Sequence, residues 1–168
     1  HDSGNIFDDS NVLVLDPGYF SVDWVLFNKG DVLRDTCDSS ITAMSVMLEQ
    51  INEAMASALG GQGPGLDKLE TALQKGTGTV AMFGKRIQLQ PYIDEVVPKV
   101  ARKALQDLKM QMRHAHDLTI DFLILAGGGS SMYESIAREI FPAAEVIRSE
   151  KPVTSNARGF WLYGSPEE

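Results

Sequence analysis

The sequence predicts an α/β fold in which a mixed sheet is flanked by helices. Three observations support this prediction. Short apolar runs typical of buried strands recur along the chain, segments with helical periodicity follow them, and the first two runs lie close enough together for a β-meander. The chain has 168 residues, of which 43% are apolar, and is therefore long enough to bury one core.

The front of the chain is predicted to be a polar lead-in followed by the meander. Residues 1–10 are mostly polar and form the lead-in. The run Val-Leu-Val-Leu at residues 12–15 predicts a buried strand, which the turn residues Asp-Pro-Gly end. A second strand is expected at residues 21–27, and a third at residues 32–36 after the Asn-Lys-Gly-Asp turn.

The spacing of apolar residues then changes and predicts a helix over residues 39–59. Apolar side chains recur every three or four residues, which gives one buried stripe. The stripe consists of Ile41, Met44, Met47, Leu48, Ile51, Met55 and Leu59. A polar residue at positions 38–40 is expected to cap this helix, and the glycine pair at 60–61 is expected to end it.

Residues 61–116 are predicted to form a small inserted subdomain. After a glycine-rich break it contains a short helix at residues 66–75, a hairpin at 79–90 and a long helical segment at 91–116. Pro98 fits only in the first turn of a helix, so we expect the long helix to begin near it or to kink there.

The last part of the chain predicts two further strands and two helices. A buried strand at residues 122–126 leads through three glycines into a helix at 132–141, and a short strand follows at 145–148. A final helix is expected at residues 156–163. Residues 11–168 are thus predicted to form a single domain that includes the inserted subdomain.

Charge and composition exclude several functional classes. The chain carries 15 basic and 23 acidic residues, for a net charge of −8. This balance argues against direct binding to nucleic acid or anionic lipid, since both require a basic surface. No apolar run approaches the roughly 20 residues that a membrane span needs. Cys37 is the only cysteine, which excludes an internal disulfide and favours a cytoplasmic location.

Two loops could carry chemistry, and the first of them follows the first strand. Asp16 stands at the end of the strand, and Gly18 allows the backbone to turn closely. Such a hairpin can direct N–H groups at a phosphate while the carboxylate holds Mg²⁺ and its waters. Asp and Gly are also ordinary β-turn residues, so this loop alone favours a structural turn.

The second loop lies between a buried strand and a helix and contains Gly127, Gly128 and Gly129. Three glycines remove side chains where a ligand could approach the backbone, and the helix N-terminus that follows offers N–H groups. The loop is neither a Walker A motif nor a Rossmann fingerprint. A crowded strand-to-helix turn would explain the glycines equally well.

In this order the two loops resemble the second nucleotide-binding half of the actin-like ATPase superfamily, whose domains have a ribonuclease-H-like fold. The segment Gly-Gly-Ser-Ser-Met-Tyr at residues 128–133 is similar to the adenosine-contacting segment of actin. Residues 16–23, Asp-Pro-Gly-Tyr-Phe-Ser-Val-Asp, look like the second phosphate loop of the plasmid-segregation ParM/StbA type. This loop, together with Asn-Ala-Arg-Gly-Phe at residues 156–160, most resembles the actin-like D proteins of bacterial PRTRC plasmid-associated systems. The resemblance spans nearly the whole chain.

The resemblance implies that ATP or ADP binds together with Mg²⁺. Asp16 would be the catalytic residue and would hold the Mg²⁺ through its water shell. The β- and γ-phosphates would face Gly18, Tyr19, Phe20 and Ser21. The adenosine would lie on Gly127, Gly128, Gly129 and Ser130, with Met132 and Tyr133 beside the base. The ribose would be reached from the long helix by Lys99, Arg102 or Lys103.

The resemblance also implies partners. The family places a first domain upstream, and since the chain begins with His1 we expect an excised second domain. The full-length protein would self-associate into filaments for plasmid segregation, would reach DNA only through an adaptor protein and would not contact a membrane. Two alternatives remain open: a sugar-kinase-like phosphotransferase that does not polymerise, and an interaction module without nucleotide binding. Electron microscopy of the full-length protein with and without ATP separates the filament from the kinase.

Overall fold

The computed structural model describes residues 6–115 and 118–154 and contains the α/β fold with the mixed sheet that the sequence predicts. The strands are β1 (Asn11–Pro17), β2 (Val22–Asn28), β3 (Asp31–Val32), β4 (Asp38–Ser40), β5 (Thr79–Met82), β6 (Lys85–Gln88), β7 (Phe122–Leu125) and β8 (Glu145–Arg148). The helices are α1 (Met44–Ala58), α2 (Leu66–Gln74), α3 (Gln90–Ala115) and α4 (Ser130–Ile140). Short 3-10 turns occur at Ile6–Asp9, Arg34–Thr36 and Pro152–Thr154.

The main sheet places the two candidate loops at one edge. Its order is β3-β2-β1-β7-β8, and β4 pairs with β2. Strand β1 is antiparallel to β2 and parallel to β7, so that Leu15 lies opposite both Trp24 and Leu125. This confirms that the first two predicted strands and the strand at 122–126 share one sheet. Because β1 and β7 are parallel, the loops that follow them leave the sheet on the same side.

The core is built from one face of the sheet and the buried stripes of the helices. The sheet contributes the fully buried Leu13, Leu15, Leu26, Leu123 and Leu125. The predicted stripe of α1 faces them through Met47, Leu48, Ile51 and Met55, all of which are buried. Helix α3 packs against α1 and α4, and α4 also contacts β1, β7 and β8. These apolar residues form one continuous cluster.

Helix α2 and the hairpin β5–β6 lie outside the main sheet. The hairpin forms its own two-stranded antiparallel sheet, with Val80 opposite Ile87, and α2 packs between it and α1. The predicted short helix and hairpin are therefore confirmed. The division of the chain into a lead-in at 1–10 and an inserted subdomain at 61–116 stays a prediction.

Two sequence-based boundaries near the front of the chain are wrong. The predicted strand at residues 32–36 ends at Val32, because the Thr36 hydroxyl and N–H both donate to the Leu33 carbonyl and close a 3-10 turn. The helix expected from residue 39 begins at Met44. Residues 38–40 pair with β2 as strand β4 and do not cap the helix.

The long helix runs through Pro98, which is its ninth residue. Because the helix begins at Gln90, the expectation that it begins near this proline is wrong, and the alternative of a kink there stays a prediction. Val97, Val100 and Ala101 beside it are buried in the core. The predicted helix at 156–163 and the Asn-Ala-Arg-Gly-Phe stretch lie outside the described residues.

Tyr133 on α4 is fully buried, and its hydroxyl donates a hydrogen bond of 2.8 Å to the Thr42 carbonyl just before α1. Burial raises the pKa of this phenol above its usual value, so the hydroxyl remains a donor at physiological pH. This bond ties the starts of α1 and α4 together.

Tyr133→Phe is expected to lower the free energy of unfolding by about 1 kcal/mol, because the Thr42 carbonyl then loses its donor. Urea denaturation of the two proteins measures the difference. Tyr92→Phe serves as the matched control, since the Tyr92 hydroxyl has no hydrogen-bond partner among the residues that the structure describes. An equal loss in both variants would contradict a specific role for the Tyr133 bond.

Candidate functional site

The two loops are joined by backbone hydrogen bonds. Ala126 N–H donates to the Leu15 carbonyl and Gly129 N–H donates to the Pro17 carbonyl, each at 2.8 Å. The start of α1 is held in the same way, since the Ser45 N–H donates at 2.8 Å to the carbonyl of Tyr19. The Met44 N–H also donates to the Gly18 carbonyl at 3.4 Å, so the first loop supplies acceptors for two N–H groups at the start of α1, which has no side-chain cap.

The three glycines of the second loop have different surroundings, so a side chain would be excluded at some of these positions and not at others. A Cβ on Gly127 would lie 2.0 Å from Asp16 Oδ1, and its φ of +73° suits glycine best. A Cβ on Gly129 would lie 2.9 Å from the Pro17 carbonyl oxygen. Both positions therefore need glycine for the two loops to pack. A Cβ on Gly128 would meet only Val153 Cγ2, at 3.9 Å.

Both loops line one cleft of about 470 Å³. Of the residues predicted for the site, the structure brings five to its walls: Gly18, Tyr19, Gly128, Gly129 and Met132. The other lining residues were not predicted as site residues: Met44, Leu48, Glu70, Leu73, Gln74, Ser131 and Val153. Asp16 is not on the wall, but its carboxylate packs against Gly127, next to the lining Gly128.

Several predicted site residues lie elsewhere. Phe20 is 77% exposed in the first loop, and its ring packs edge-on against Tyr19 at 4.7 Å. Ser130 is buried beneath the second loop. The predicted contact of Tyr133 with a base is not available in this structure, because its side chain points into the core.

The two loops contain backbone N–H groups that donate no hydrogen bond to any described residue. The N–H groups of Tyr19, Phe20 and Gly128 have no hydrogen-bond acceptor among the residues in the described ranges. Gly128 lies two residues before α4, next to its N-cap Gly129, at the end of the helix where the dipole favours negative charge. Two loops with unsatisfied N–H groups beside one cleft are suited to an anionic ligand.

Two carboxylates stand side by side at this edge of the sheet. Asp16 on β1 lies directly opposite Asp23 on β2, and Asp23 Oδ2 accepts a hydrogen bond of 2.8 Å from the Ser21 hydroxyl. The two carboxylates add negative charge to the edge of the sheet at which both loops lie. The pattern of the hairpin could have suggested this pair, since its four-residue turn sets the register.

Helix α2 contributes a polar pair that sequence reasoning did not find. Glu70 and Gln74 both line the cleft, and Gln74 Nε2 donates to Glu70 Oε1 at 3.0 Å. Two of the three basic residues expected there are engaged elsewhere: Lys99 pairs with Glu95, and Arg102 forms two hydrogen bonds with Glu139, which lower the pKa of that carboxyl. Neither cation lines the cleft.

Within the described ranges there is neither a preformed group of metal ligands nor a membrane-spanning helix. No group of three or more His, Cys, Asp or Glu residues there could hold a metal ion by itself. A metal at the site would thus need further ligands, which Mg²⁺ commonly takes from water and phosphate. No helix there is sufficiently long and apolar to cross a bilayer.

Solved structures that superpose on this chain include an archaeal actin homologue and ParM proteins. The archaeal actin homologue Ta0583 in complex with ADP superposes with a TM-score of 0.77 and 17% identity, covering 92% of this chain and 49% of that one. The ParM filament from Clostridium botulinum gives a TM-score of 0.72 and 16% identity, with coverages of 93% and 46%. Bacillus thuringiensis ParM with ATP gives 0.65 and 11%, with coverages of 97% and 47%. The chain spans about half the length of these proteins.

Sequence comparison leads to the same group of proteins. No curated protein matches the chain. A family model described as "Archaeal actin homologue MreB-like, C-terminal" matches residues 14–139, which is about three quarters of the chain and includes both loops. The chain therefore belongs to this family of archaeal MreB-like actin homologues, within the actin-like ATPase superfamily.

Proposed function

We propose that residues 11–168 are the second nucleotide-binding domain of an actin-like ATPase of the plasmid-segregation type, similar to the PRTRC D proteins. The observation that carries the proposal is the cleft into which both glycine-containing loops open. In this proposal ATP binds between the domain and an upstream first domain. The whole protein is cytoplasmic, forms filaments and reaches DNA through an adaptor.

In this proposal the two loops that line the cleft contact different parts of the nucleotide. The N–H groups of Tyr19 and Phe20 in the first turn face the phosphates, where no described acceptor competes for them. Gly128 and Met132 support the adenosine, and Gly128 leaves open space that a side chain would fill. Glu70 takes the ribose role, because a carboxylate can accept hydrogen bonds from hydroxyl groups and it lines the cleft.

The carboxylates of the first hairpin fit a magnesium ion. Asp16 is the residue that would hold the water shell of Mg²⁺, while Asp23, bonded to Ser21, adds negative charge beside it. When bound, Mg²⁺ would neutralise phosphate charge and polarise the transferred phosphoryl group. The chain itself binds and positions the phosphates through its backbone N–H groups.

The domain alone is expected to bind Mg-ATP weakly or undetectably and to show no turnover. With half of a cleft, the phosphates lose donors and no second wall excludes water or orients the nucleophile. Fewer contacts must then offset the entropy of association. Calorimetric titration and a phosphate-release assay on the 168-residue chain measure both quantities. Sustained hydrolysis that disappears in Asp16→Ala would instead show that this half is a complete enzyme.

A further inference from the structure

A groove with a volume of about 400 Å³ runs between α2 and strand β5 of the hairpin. Three consecutive residues of the strand, Thr79, Val80 and Ala81, line one side of it. The exposed face of α2 lines the other side and includes Lys68 and Lys75. We call this surface the basic groove. Among the described residues, it shares no lining residue with the cleft of the candidate functional site.

Strand β5 has one unpaired edge. Its other edge pairs with β6, and the Leu89 N–H donates to the Gly78 carbonyl at the open end of that hairpin. In an antiparallel pair, consecutive residues alternate between bonding to the partner strand and facing away from it. Since Gly78 bonds across the hairpin, the backbone groups of Thr79 and Ala81 face away from β6. Their N–H groups and the Ala81 carbonyl have no hydrogen-bond partner among the residues that the structure describes.

The edge of β5 also lacks the protection that edge strands usually have. Proteins block or charge such edges, because an open edge pairs with other chains. The main sheet follows this rule at its edge strand β8, where the Arg138 guanidinium donates to the Val146 carbonyl at 2.9 Å. Strand β5 contains no charged residue and no proline, and its Ala81 is exposed. The edge is therefore available for an additional strand.

The cations around the groove determine which kind of strand fits it. Lys68 and Lys75 are nearly two turns apart on α2, so they lie on the same face, about 10 Å apart along the helix axis. Arg86 stands on β6 directly opposite Ala81 and also lines the groove. Asp67 lines it too, yet no ion pair joins any of these three cations to a carboxylate in the described part of the chain. In a chain with a net charge of −8, such a group of unpaired cations favours an acidic ligand.

We propose that the basic groove binds an extended, acidic segment of a partner protein, which adds to β5 as a third strand. The backbone of this segment accepts hydrogen bonds from the N–H groups of Thr79 and Ala81 and donates one to the Ala81 carbonyl. Side chains of a strand alternate between two faces, so carboxylates at every second position lie on one side, where the cations of the groove pair with them. The backbone bonds supply affinity, and the charges select the partner. The inference does not rest on the proposed function, because the groove lies outside the cleft.

Binding of a synthetic peptide to the 168-residue chain tests the proposal. The probe is the fluorescein-labelled heptapeptide Thr-Glu-Val-Glu-Val-Glu-Thr, which carries a carboxylate at every second position. Fluorescence anisotropy is expected to show saturable binding that weakens as salt is added, because salt screens charge pairing. The same peptide with lysine in place of glutamate is expected to bind at least about tenfold more weakly. No binding of the acidic peptide, or tighter binding of single-stranded oligo(dT) to the groove, overturns the proposal.

Methylation of the peptide backbone distinguishes strand addition from simple attraction between charges. In a strand, the N–H groups of successive residues point to opposite edges. One probe therefore carries N-methyl groups on its first two glutamates, and a second probe carries them on its two valines. Only the peptide that is methylated on the edge facing β5 is expected to lose affinity, by at least about tenfold. Equal binding by the two methylated peptides, whether retained or lost, overturns strand addition.

Charge reversal identifies the surface that the peptide contacts. Lys75→Glu with Arg86→Glu is expected to weaken binding of the acidic peptide at least about tenfold and to favour the lysine peptide instead. Lys29→Glu with Arg34→Glu changes the net charge equally at exposed positions outside the groove and is the matched control, which is expected to retain affinity. Both variants alter exposed side chains, so their urea denaturation is expected to match that of the unaltered chain. An equal loss of affinity in the two variants would show that the groove is not the site.

Discussion

Gly127→Ala is expected to destabilise the domain by about 2–5 kcal/mol. The residue has a φ of +73°, which costs a non-glycine residue about 1–2 kcal/mol. Its new Cβ would stand 2.0 Å from Asp16 Oδ1 and 2.8 Å from the Pro17 carbonyl oxygen. Because one of these atoms belongs to the backbone of β1, relief requires that the two loops move apart, which adds about 1–3 kcal/mol. Urea denaturation measures the total.

Gly128→Ala is the matched control for that experiment. It adds the same methyl group one residue later, where φ is not in the left-handed region and the nearest atom is Val153 Cγ2 at 3.9 Å. We expect its stability to stay within about 0.5 kcal/mol of the unaltered domain. Equal stability of the Gly127 and Gly128 variants would show that the loops are not packed as described.

Asp16→Ala is expected to lower Mg²⁺-dependent ATP hydrolysis by the full-length protein about a hundredfold or more, with much less change in nucleotide affinity. In the proposed function the carboxylate serves the metal and its waters, whereas affinity would come mainly from backbone contacts and the adenosine. Steady-state phosphate release and equilibrium nucleotide binding measure the two effects separately. Asp107→Ala, which removes an exposed carboxylate of α3, is the control and is expected to retain both.

Gly128→Val completes the comparison with Asp16→Ala. Its branched side chain would enter the cleft, so we expect weaker nucleotide binding as the main defect. Nucleotide binding and hydrolysis are measured on both variants under the same conditions. If both substitutions reduced affinity and turnover equally, the separate roles assigned to the metal side and the adenosine side would be incorrect.

The regular elements could be predicted because their apolar residues follow the period of a strand or a helix. In the stripe of α1, Met47, Leu48, Ile51 and Met55 are buried as expected, but Ile41 lies before the helix and is 82% exposed. In β7, Leu123 and Leu125 are buried. Strand β4 could not be found in this way. Its residues Asp38–Ser40 are polar and largely exposed, and only their pairing with β2 makes them a strand. The alternation of apolar and polar residues along the sequence does not predict such an edge strand.

The candidate site could be predicted only where it is local in sequence. Each loop follows a recognisable strand, so Gly18 and Gly128 were found without knowledge of the fold. Glu70 and Gln74 come from a separate helix whose approach depends on tertiary packing. Tyr133 was misplaced because one residue along a helix rotates the side chain by about 100°. That step carries it from the cleft wall, where Met132 lies, into the core.

The packing of the three glycines bears on how relatives of this domain can be recognised. Gly127 and Gly129 are required by atoms of the protein itself, namely Asp16, Pro17 and Met44. A domain of this architecture that had lost its nucleotide would still need both, whereas position 128 would be free to accept a side chain. The glycine pair is therefore set by the packing of the architecture, whereas under the proposed function the residue between them is the glycine of this loop that reports on ligand binding.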